Sequence, residues 1–323
     1  KNKKNTNLFV VDKKIVPKSK NYLNTSFEDI KKKKLHFDFA IIASPSGLHF
    51  KHAEFFLKRH SNVLIEKPFV LRIDHAKKLI NLSKKNKLKC WTSLQNRYNL
   101  ALIKLKKELI KKSIGKINLV DCTMLWHRDK KYYYKNWRGK YSTDGGVLTN
   151  QAIHLLDALI FNFGEVVNFD VVAGFDKKKL EAEDLILINL QHKNKTFCSF
   201  KATTRSDRNY RSAIDVIGSK GRIIIKGISL NTFNKFQNGM LYKNNKYSER
   251  FETEPGAKGG MGFGHSKLLK EFLSKNKKSS KNLEISKNIY LIKLIHSIYN
   301  YTLKRTKFNK VKSKNSILGF NEK

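Results

Sequence analysis

Residues 37–49 read FDFAIIASPSGLH, and residues 62–68 read NVLIEKP. Each stretch begins as a short, continuous apolar run, which is typical of a strand buried on both faces of a parallel sheet. Predicted helices at about residues 48–59 and 73–85 follow the two runs, and a further strand is predicted at about residues 88–94. Strands that alternate with helices of this length indicate a doubly wound parallel sheet.

The pattern changes after about Lys116, where strand-like runs succeed one another with short turns. These runs lie at about residues 117–126, 166–175, 185–191, 196–204, 213–217 and 222–226. Such a succession indicates an antiparallel sheet, and a predicted helix at about residues 146–161 interrupts it. We therefore expect an α/β chain with a parallel-sheet domain at residues 1–115 and an α+β domain at residues 116–323, onto which the C-terminal helices pack.

The front of the first domain looks incomplete. A predicted strand at Leu8–Val11 ends at Asp12, and no Gly-x-Gly-x-x-Gly turn precedes it to receive a pyrophosphate. We expect a fragment that begins at the second strand, with defective cofactor binding as the alternative. On this alignment Asp12 binds the adenosine ribose, and its carboxylate favours NAD over NADP because it repels a 2′-phosphate.

Charge and hydropathy limit the partners. The chain carries 67 Lys and Arg against 26 Asp and Glu, a formal charge of +41 that raises nucleic acid as a partner. The excess is mostly lysine and is spread along the chain, so we do not expect nucleic-acid binding as the main role, although the charge should attract anionic substrates. No apolar run approaches the roughly 20 residues that cross a membrane, and we expect a soluble, cytoplasmic protein.

The cysteines give no sign of a disulfide framework or a metal site. Cys90, Cys122 and Cys198 lie in strand-like runs without the spacing of metal ligands, so we expect three buried thiols and no bound metal.

Polar residues follow both apolar runs of the first domain. Ser44, Pro45 and His49 follow the first run, and Glu66 and Lys67 follow the second. Ligands of open parallel sheets bind at this carboxyl edge. Partial desolvation there would lower the pKa of the lysine toward the working pH, as a general acid or base requires. The alternative is an ordinary surface lysine.

A polar stripe marks the predicted helix of the second domain. Asn150, His154 and Asp157 are spaced i, i+4 and i+7, which places them within one narrow stripe of a helix. A histidine of near-neutral pKa can exchange a proton, and the aspartate is placed to orient its ring. The alternative is a core histidine with satisfied hydrogen bonds.

Aromatic and basic residues gather in the loop that precedes this helix. Arg128, Tyr133, Trp137 and Arg138 belong to it. Arginine suits a carboxylate or phosphate, and aromatic rings cover sugar or base faces. The alternatives are a subunit interface and a solvated loop.

Taken together, the segments 43–49, 66–68 and 145–157 resemble the Gfo/Idh/MocA family of oxidoreductases. The resemblance implies a Rossmann domain followed by a domain with a large, open, mostly antiparallel sheet, through which subunits pack into homodimers or homotetramers. It implies an NAD cofactor and hydride transfer from a sugar. Lys67 and His154 are the candidate catalytic residues, and which of them is the base stays open.

The segment Gln95-Asn96-Arg97-Tyr98-Asn99, the aromatic loop and residues 150–154 are similar to a branch of the family that acts on sugar nucleotides. That branch includes UDP-N-acetylglucosaminuronate 3-dehydrogenases of surface-polysaccharide biosynthesis. Many family members carry Asp-x-Gly-x-His on this helix. Here Asn150 and Ala152 replace the Asp and the Gly, which disfavours a simple polyol dehydrogenase.

The resemblance also implies a distribution of roles. The implied cofactor-binding residues are Asp12, Ser44, Pro45, His49, Glu66, Lys67, Gln95, Trp137 and Arg138. The implied substrate-binding residues are Lys67, Asn96, Arg97, Arg128, Tyr133, Asn150, His154 and Asp157, with Thr204 and Arg205 placed near the nucleotide. The alternatives are an inositol or free-sugar dehydrogenase of the same family and a non-catalytic sensor of NAD or sugar. Retention of both Lys67 and His154 argues against a sensor.

Overall fold

The chain folds as two compact units, described here from a computed structural model. The described residues are 7–12, 22–133, 137–176, 180–237, 248–251, 264–274 and 281–304. The first unit comprises residues 1–94 and 266–288, and the second comprises residues 95–265 and 289–323.

Short parallel strands form the first unit. Its elements are β1 (Phe9–Val10), β2 (Leu23–Asn24), α1 (Phe27–Lys32), β3 (Phe39–Ile42), α2 (His49–Leu57), β4 (Asn62–Ile65), α3 (Ile73–Lys85) and β5 (Cys90–Thr92). Strands β3, β4 and β5 make one parallel sheet, and β1 pairs with β2 in a second. The predicted parallel sheet, with a helix after each of its first two apolar strands, is confirmed.

Apolar packing on both faces explains why these strand sequences are so uniformly hydrophobic. Val63 and Ile65 of β4 have no exposed surface, and neither has Trp91 of β5. The Trp91 ring lies 5.5 Å from the ring of Phe272, measured between centroids. Full burial of an aromatic side chain of this kind contributes about 2–3 kcal/mol, so β5 is firmly anchored.

The second unit is built on one large sheet. Its elements are α4 (Leu100–Ile110), β6 (Ile117–Leu125), α5 (Lys130–Tyr133), α6 (Val147–Asn150), α7 (Ile153–Phe163), β7 (Val166–Gly174), β8 (Leu185–His192), β9 (Phe197–Thr203), β10 (Arg211–Gly218), β11 (Gly221–Lys226), β12 (Thr232–Gln237) and β13 (Ser248–Arg250). The eight strands are ordered β13-β12-β11-β10-β6-β9-β8-β7. The predicted antiparallel sheet is confirmed, with one parallel pair, β6 and β9, at its centre.

Two further helices, α8 (Gly264–Leu273) and α9 (Ile285–Lys304), have residues in both units. Residues 95–115 belong to the second unit, where α4 packs against α7, β11 and β12. The Asn99 side chain begins α4 by accepting a hydrogen bond from the backbone N–H of Ala101 at 2.9 Å.

The helix predicted at 146–161 is wrong in one respect, because it is broken into α6 and α7. The Val147 carbonyl accepts hydrogen bonds from both Gln151 N (3.1 Å) and Ala152 N (2.8 Å), which widens the turn between the two helices. The side-chain amides of Asn150 and Gln151 donate hydrogen bonds to Asp144 and Tyr132, which lie outside both helices. These contacts favour the break. Asn150 therefore does not share a regular stripe with His154.

The expected buried thiols are confirmed, since Cys90, Cys122 and Cys198 are free and buried. Burial raises the pKa of Cys198 to about 12, which keeps this thiol protonated and unreactive at neutral pH. Within the described residues, the helices are too short or too polar to cross a membrane.

Candidate active site

The carboxyl ends of β3 and β4 lie side by side. Ile42 and Ile65, the last residues of the two strands, are register partners, and Glu66 N donates to the Ile42 carbonyl at 2.9 Å. The Ser44–Pro45 turn and the Glu66–Lys67 turn leave the sheet at this shared edge. The structure therefore brings these four predicted site residues to the edge where the sequence placed them.

The turn after β4 holds Lys67 between buried neighbours. Lys67 is half-buried, whereas Phe69 and Val70 are 2% and 1% exposed. The backbone N–H of Lys67 donates to Glu66 Oε2 at 3.3 Å, and the Lys67–Pro68 peptide bond is cis. Lys67 thus follows a buried strand and precedes buried residues, which leaves its half-buried side chain at the sheet edge.

His49 lies beneath this edge rather than on it. Its side chain is 1% exposed, with Nε2 at 2.7 Å from the Ser44 carbonyl oxygen and Nδ1 at 2.8 Å from the Pro68 carbonyl oxygen. Burial lowers the pKa of His49 below its ordinary value. The ring thus contacts two backbone turns, while Asp12, also predicted to bind cofactor, is exposed beyond the end of β1.

In the second unit, the hydroxyl of Tyr132 is the centre of a hydrogen-bond network. Gln151 Nε2 lies 3.0 Å from it and Asn150 Nδ2 lies 3.3 Å from it, and Arg138 Nη1 also donates to it. The Arg138 guanidinium stacks 4.1 Å from the centroid of the Tyr132 ring and 4.2 Å from that of Trp137. Within the described part of the chain, buried Arg138 Nε has no hydrogen-bond partner.

The side chain of Asn150 is bound to a buried carboxylate. Its Nδ2 lies 2.8 Å from both oxygens of Asp144, which is 3% exposed. Asp144 also accepts a hydrogen bond from Gly139 N at 3.2 Å. Through Asp144, the end of α6 is joined to the turn that carries Trp137 and Arg138.

Arg97 and Asp157, both predicted to bind substrate, form a buried ion pair. Arg97 Nη2 lies 2.6 Å from Asp157 Oδ1 and Arg97 Nε lies 3.0 Å from Asp157 Oδ2. The two residues are 7% and 1% exposed. His154, in the first turn of α7, is half-buried, as is Asn96. The ion pair therefore anchors α7, the helix that carries His154.

Gln95, predicted to bind cofactor, is 7% exposed. Its Oε1 has no hydrogen-bond partner among the residues that the structure describes. A buried acceptor of this kind normally has a donor, so a ligand N–H fits here.

Arg128, Tyr133 and Arg205 lie near the ends of the central strands β6 and β9 of the large sheet. Arg128 stacks 5.0 Å from the Trp126 ring centroid, and Tyr133 Oη lies 2.9 Å from Thr204 Oγ1. Burial raises the pKa of Tyr133 to about 12, so its phenol stays neutral. Arg205 Nη2 lies 2.6 Å from Asp184 Oδ1, and Arg128 Nη1 donates to the His127 carbonyl at 2.6 Å.

Glu183 and Tyr299 support α6 and were missed by sequence reasoning. Glu183 Oε1 accepts hydrogen bonds from Leu148 N at 2.9 Å and from Tyr299 Oη at 3.1 Å. Burial raises the pKa of Glu183 to about 7. A Cβ on Gly146 would lie 2.1 Å from Glu183 Oε2, which explains the glycine. Tyr132, Asp144 and Gln151 were also missed, although all lie in or beside the quoted segments.

Two family models match the chain. The model described as "Oxidoreductase family, NAD-binding Rossmann fold" matches residues 4–94, and the "GFO/IDH/MocA C-terminal domain" matches residues 102–224. Together they account for more than half of the chain.

Solved structures share the fold. The WlbA dehydrogenase from Bordetella pertussis, in complex with NADH and UDP-GlcNAcA, has a TM-score of 0.74 and 23% identity over 87% of this chain and 82% of that chain. An aldose-aldose oxidoreductase from Caulobacter crescentus, complexed with glycerol, has a TM-score of 0.71 and 19% identity over 87% of this chain and 82% of that chain.

Glucose-6-phosphate 3-dehydrogenase of Bacillus subtilis is 26% identical over 195 residues, which is 56% of this chain and 55% of that protein. The chain spans about half the length of the curated relatives it matches.

Proposed function

Because this chain belongs to the GFO/IDH/MocA oxidoreductase family, we propose that the protein is an NAD-dependent dehydrogenase that oxidises a hydroxyl of a nucleotide-linked sugar. One observation carries the proposal: Lys67 lies at the carboxyl end of buried β4, inside a domain matched by an NAD-binding Rossmann model. Ligands of open parallel sheets bind at that edge.

The residues present fit an NAD cofactor. The Ser44–Pro45 turn lies beside the Glu66–Lys67 turn, and exposed Asp12 suits a ribose hydroxyl. The buried, unpartnered Oε1 of Gln95 suits an amide donor. When bound, NAD supplies the hydride acceptor.

The side chains of Lys67 and His154 are the proposed proton carriers. As the C–H bond of the sugar breaks, the proton of the adjoining hydroxyl moves to Lys67 Nζ or to the His154 ring, and a ketone forms. Both side chains are half-buried, so each is partly desolvated and still reachable by a ligand. Arg97 and Asp157 contribute by anchoring α7.

For the substrate we propose a UDP-N-acetylhexosaminuronate, oxidised at C3. Arg138 and Arg128 present guanidinium groups next to aromatic rings, which suits a carboxylate or diphosphate attached to a sugar. The similar WlbA structure contains UDP-GlcNAcA, which supports this class. An inositol or free-sugar dehydrogenase is the runner-up, favoured by the likeness to the aldose-aldose oxidoreductase.

A substrate panel tests the proposal. The protein is mixed with NAD and UDP-GlcNAcA, GlcNAcA, glucose 6-phosphate or inositol, and NADH absorbance is followed. We expect turnover that depends on the UDP group. Turnover of the free sugars alone would favour the runner-up. Lys67→Met and His154→Ala should each lower kcat at least about 100-fold, the usual scale of acid–base catalysis, while exposed Lys51→Met should not.

A homodimer or homotetramer through the large sheet is part of the proposal. Leu119, Leu187 and Phe197 share one face of neighbouring strands and are 40%, 42% and 55% exposed. Leu119 and Phe197 are level with each other on β6 and β9, and exposed apolar side chains on a sheet face fit a subunit contact. Light scattering after size exclusion measures the oligomeric state, and Leu187→Lys should lower it.

A further inference from the structure

His49 is the residue shared by the two turns at the sheet edge. It is the first residue of α2, and its ring lies between the carbonyl oxygens of Ser44 and Pro68, at 2.7 and 2.8 Å. Ser44 belongs to the turn after β3, and Pro68 directly follows Lys67. One buried ring therefore links the turn proposed to hold the cofactor with the turn that carries the proposed proton carrier.

Both contacts are with oxygens that only accept hydrogen bonds. The ring satisfies both carbonyls when both of its nitrogens carry protons, and the neutral ring satisfies one. Burial opposes the doubly protonated ring, whereas the two carbonyls and the carboxylate of Glu66 favour it, and the charge of Lys67 disfavours it. In either state the ring is engaged with backbone and not with solvent.

A second histidine of α2, His52, also contacts the Ser44 turn. His52 Nδ1 lies 2.9 Å from Ser44 Oγ, and the His52 ring stacks on Phe27 with 4.7 Å between centroids. The Ser44 turn thus has two side-chain contacts from α2, whereas the Pro68 carbonyl has its α2 contact from His49.

We propose that His49 is a positioning residue for Lys67, which it serves by tying the Lys67–Pro68 turn to the Ser44 turn. This inference rests on the proposed role of Lys67. It differs from the cofactor-binding role that the sequence suggested, because a side chain that is 1% exposed and contacts two backbone carbonyls has no edge left for a cofactor.

Two conservative variants separate the two contacts. The Asn amide nitrogen occupies the place of Nδ1, so His49→Asn retains a donor for Pro68. The Gln amide nitrogen reaches the place of Nε2, so His49→Gln retains a donor for Ser44. His49→Phe keeps a ring and removes both ring nitrogens, and exposed His60→Asn is the control for loss of a histidine. Amide hydrogen exchange, NADH affinity by fluorescence and kcat are measured for each full-length protein.

We expect His49→Phe to speed exchange about tenfold in segments 43–48 and 67–71, the effect of roughly one lost hydrogen bond on local opening. His49→Asn should restore protection of 67–71 and most of kcat. His49→Gln should restore protection of 43–48 and NADH affinity but leave kcat roughly tenfold low, since small displacements of a reacting group are costly. His60→Asn should match the wild type.

The inference would be overturned if amide hydrogens of both segments exchanged in His49→Phe at the wild-type rate. It would also be overturned if the Asn and Gln variants had the same exchange rates, NADH affinity and kcat. The exchange measurements need no turnover. A protein without dehydrogenase activity would therefore refute the proposed function without deciding this point. Conversely, undiminished turnover in all three variants would refute the role of His49 alone.

Discussion

The buried carboxyl of Glu183 predicts an unusual dependence of stability on pH. Its side chain is 1% exposed, and burial raises its pKa from 4.5 to about 7. Between these two values the folded protein holds a proton that the unfolded chain has released. The free energy of unfolding therefore falls as the pH rises from about 4.5 to about 7, and the loss persists above 7. At about 1.4 kcal/mol per pH unit, the loss is about 3 kcal/mol.

Glu183→Gln removes this ionisation while retaining the contacts. The amide oxygen still accepts from Leu148 N and Tyr299 Oη, and the amide nitrogen replaces Oε2, which has no hydrogen-bond partner among the described residues. We expect the variant to match the wild type near pH 4.5 and to exceed its free energy of unfolding by up to about 3 kcal/mol at pH 8.

Urea unfolding followed by circular dichroism, in steps of half a pH unit between about pH 4.5 and 8.5, measures the difference. Exposed Glu181→Gln, two residues earlier, is the matched control and should show no such trend. A Glu183→Gln variant that is less stable than the wild type by the same amount at every pH would refute the reasoning, because the carboxyl would then be ionised in the folded protein throughout.

Three further variants test the second unit. Asp157→Asn removes the carboxylate charge that faces the buried Arg97 guanidinium and should lower the free energy of unfolding by about 3–5 kcal/mol in urea titrations. Gly146→Ala places a methyl group 2.1 Å from Glu183 Oε2 and should lower the melting temperature by several degrees, corresponding to about 1–3 kcal/mol. Tyr132→Phe removes the hydroxyl that Arg138 and Gln151 contact and should raise KM for the proposed uronate substrate several-fold with a near-normal melting temperature.

The first unit was largely predictable because its strands are short, buried and parallel. A continuous apolar run such as Val63–Ile65 indicates such a strand, and the end of the run locates the sheet edge at Lys67. The contact between His49 and Pro68 was not predictable, because 19 residues separate them and the pairing depends on how α2 lies on the sheet.

The second unit was less predictable at its polar centre. The side chains of the two adjacent tyrosines on α5 point in different directions. The sequence alone favoured Tyr133 as a site residue, whereas the hydroxyl of Tyr132 is the centre of the hydrogen-bond network. Glu183 and Tyr299 are 116 residues apart, and no local pattern links them. The break between α6 and α7 was missed because residues 147–163 are apolar enough to read as one continuous helix.

Several residues that were expected to bind the sugar are instead bound to other polar side chains of the protein. A buried charge requires a partner, so Asp157 binds Arg97 and the carboxylate of Asp144 binds Asn150. Residue type and spacing alone do not distinguish such internal pairs from ligand-binding groups. Burial separates this one pair from the network around Tyr132, because Tyr132 and Arg138 are half-buried whereas Arg97 and Asp157 are covered. Substitutions at the covered pair should therefore act first on stability, and those at Tyr132 or Arg138 first on substrate affinity.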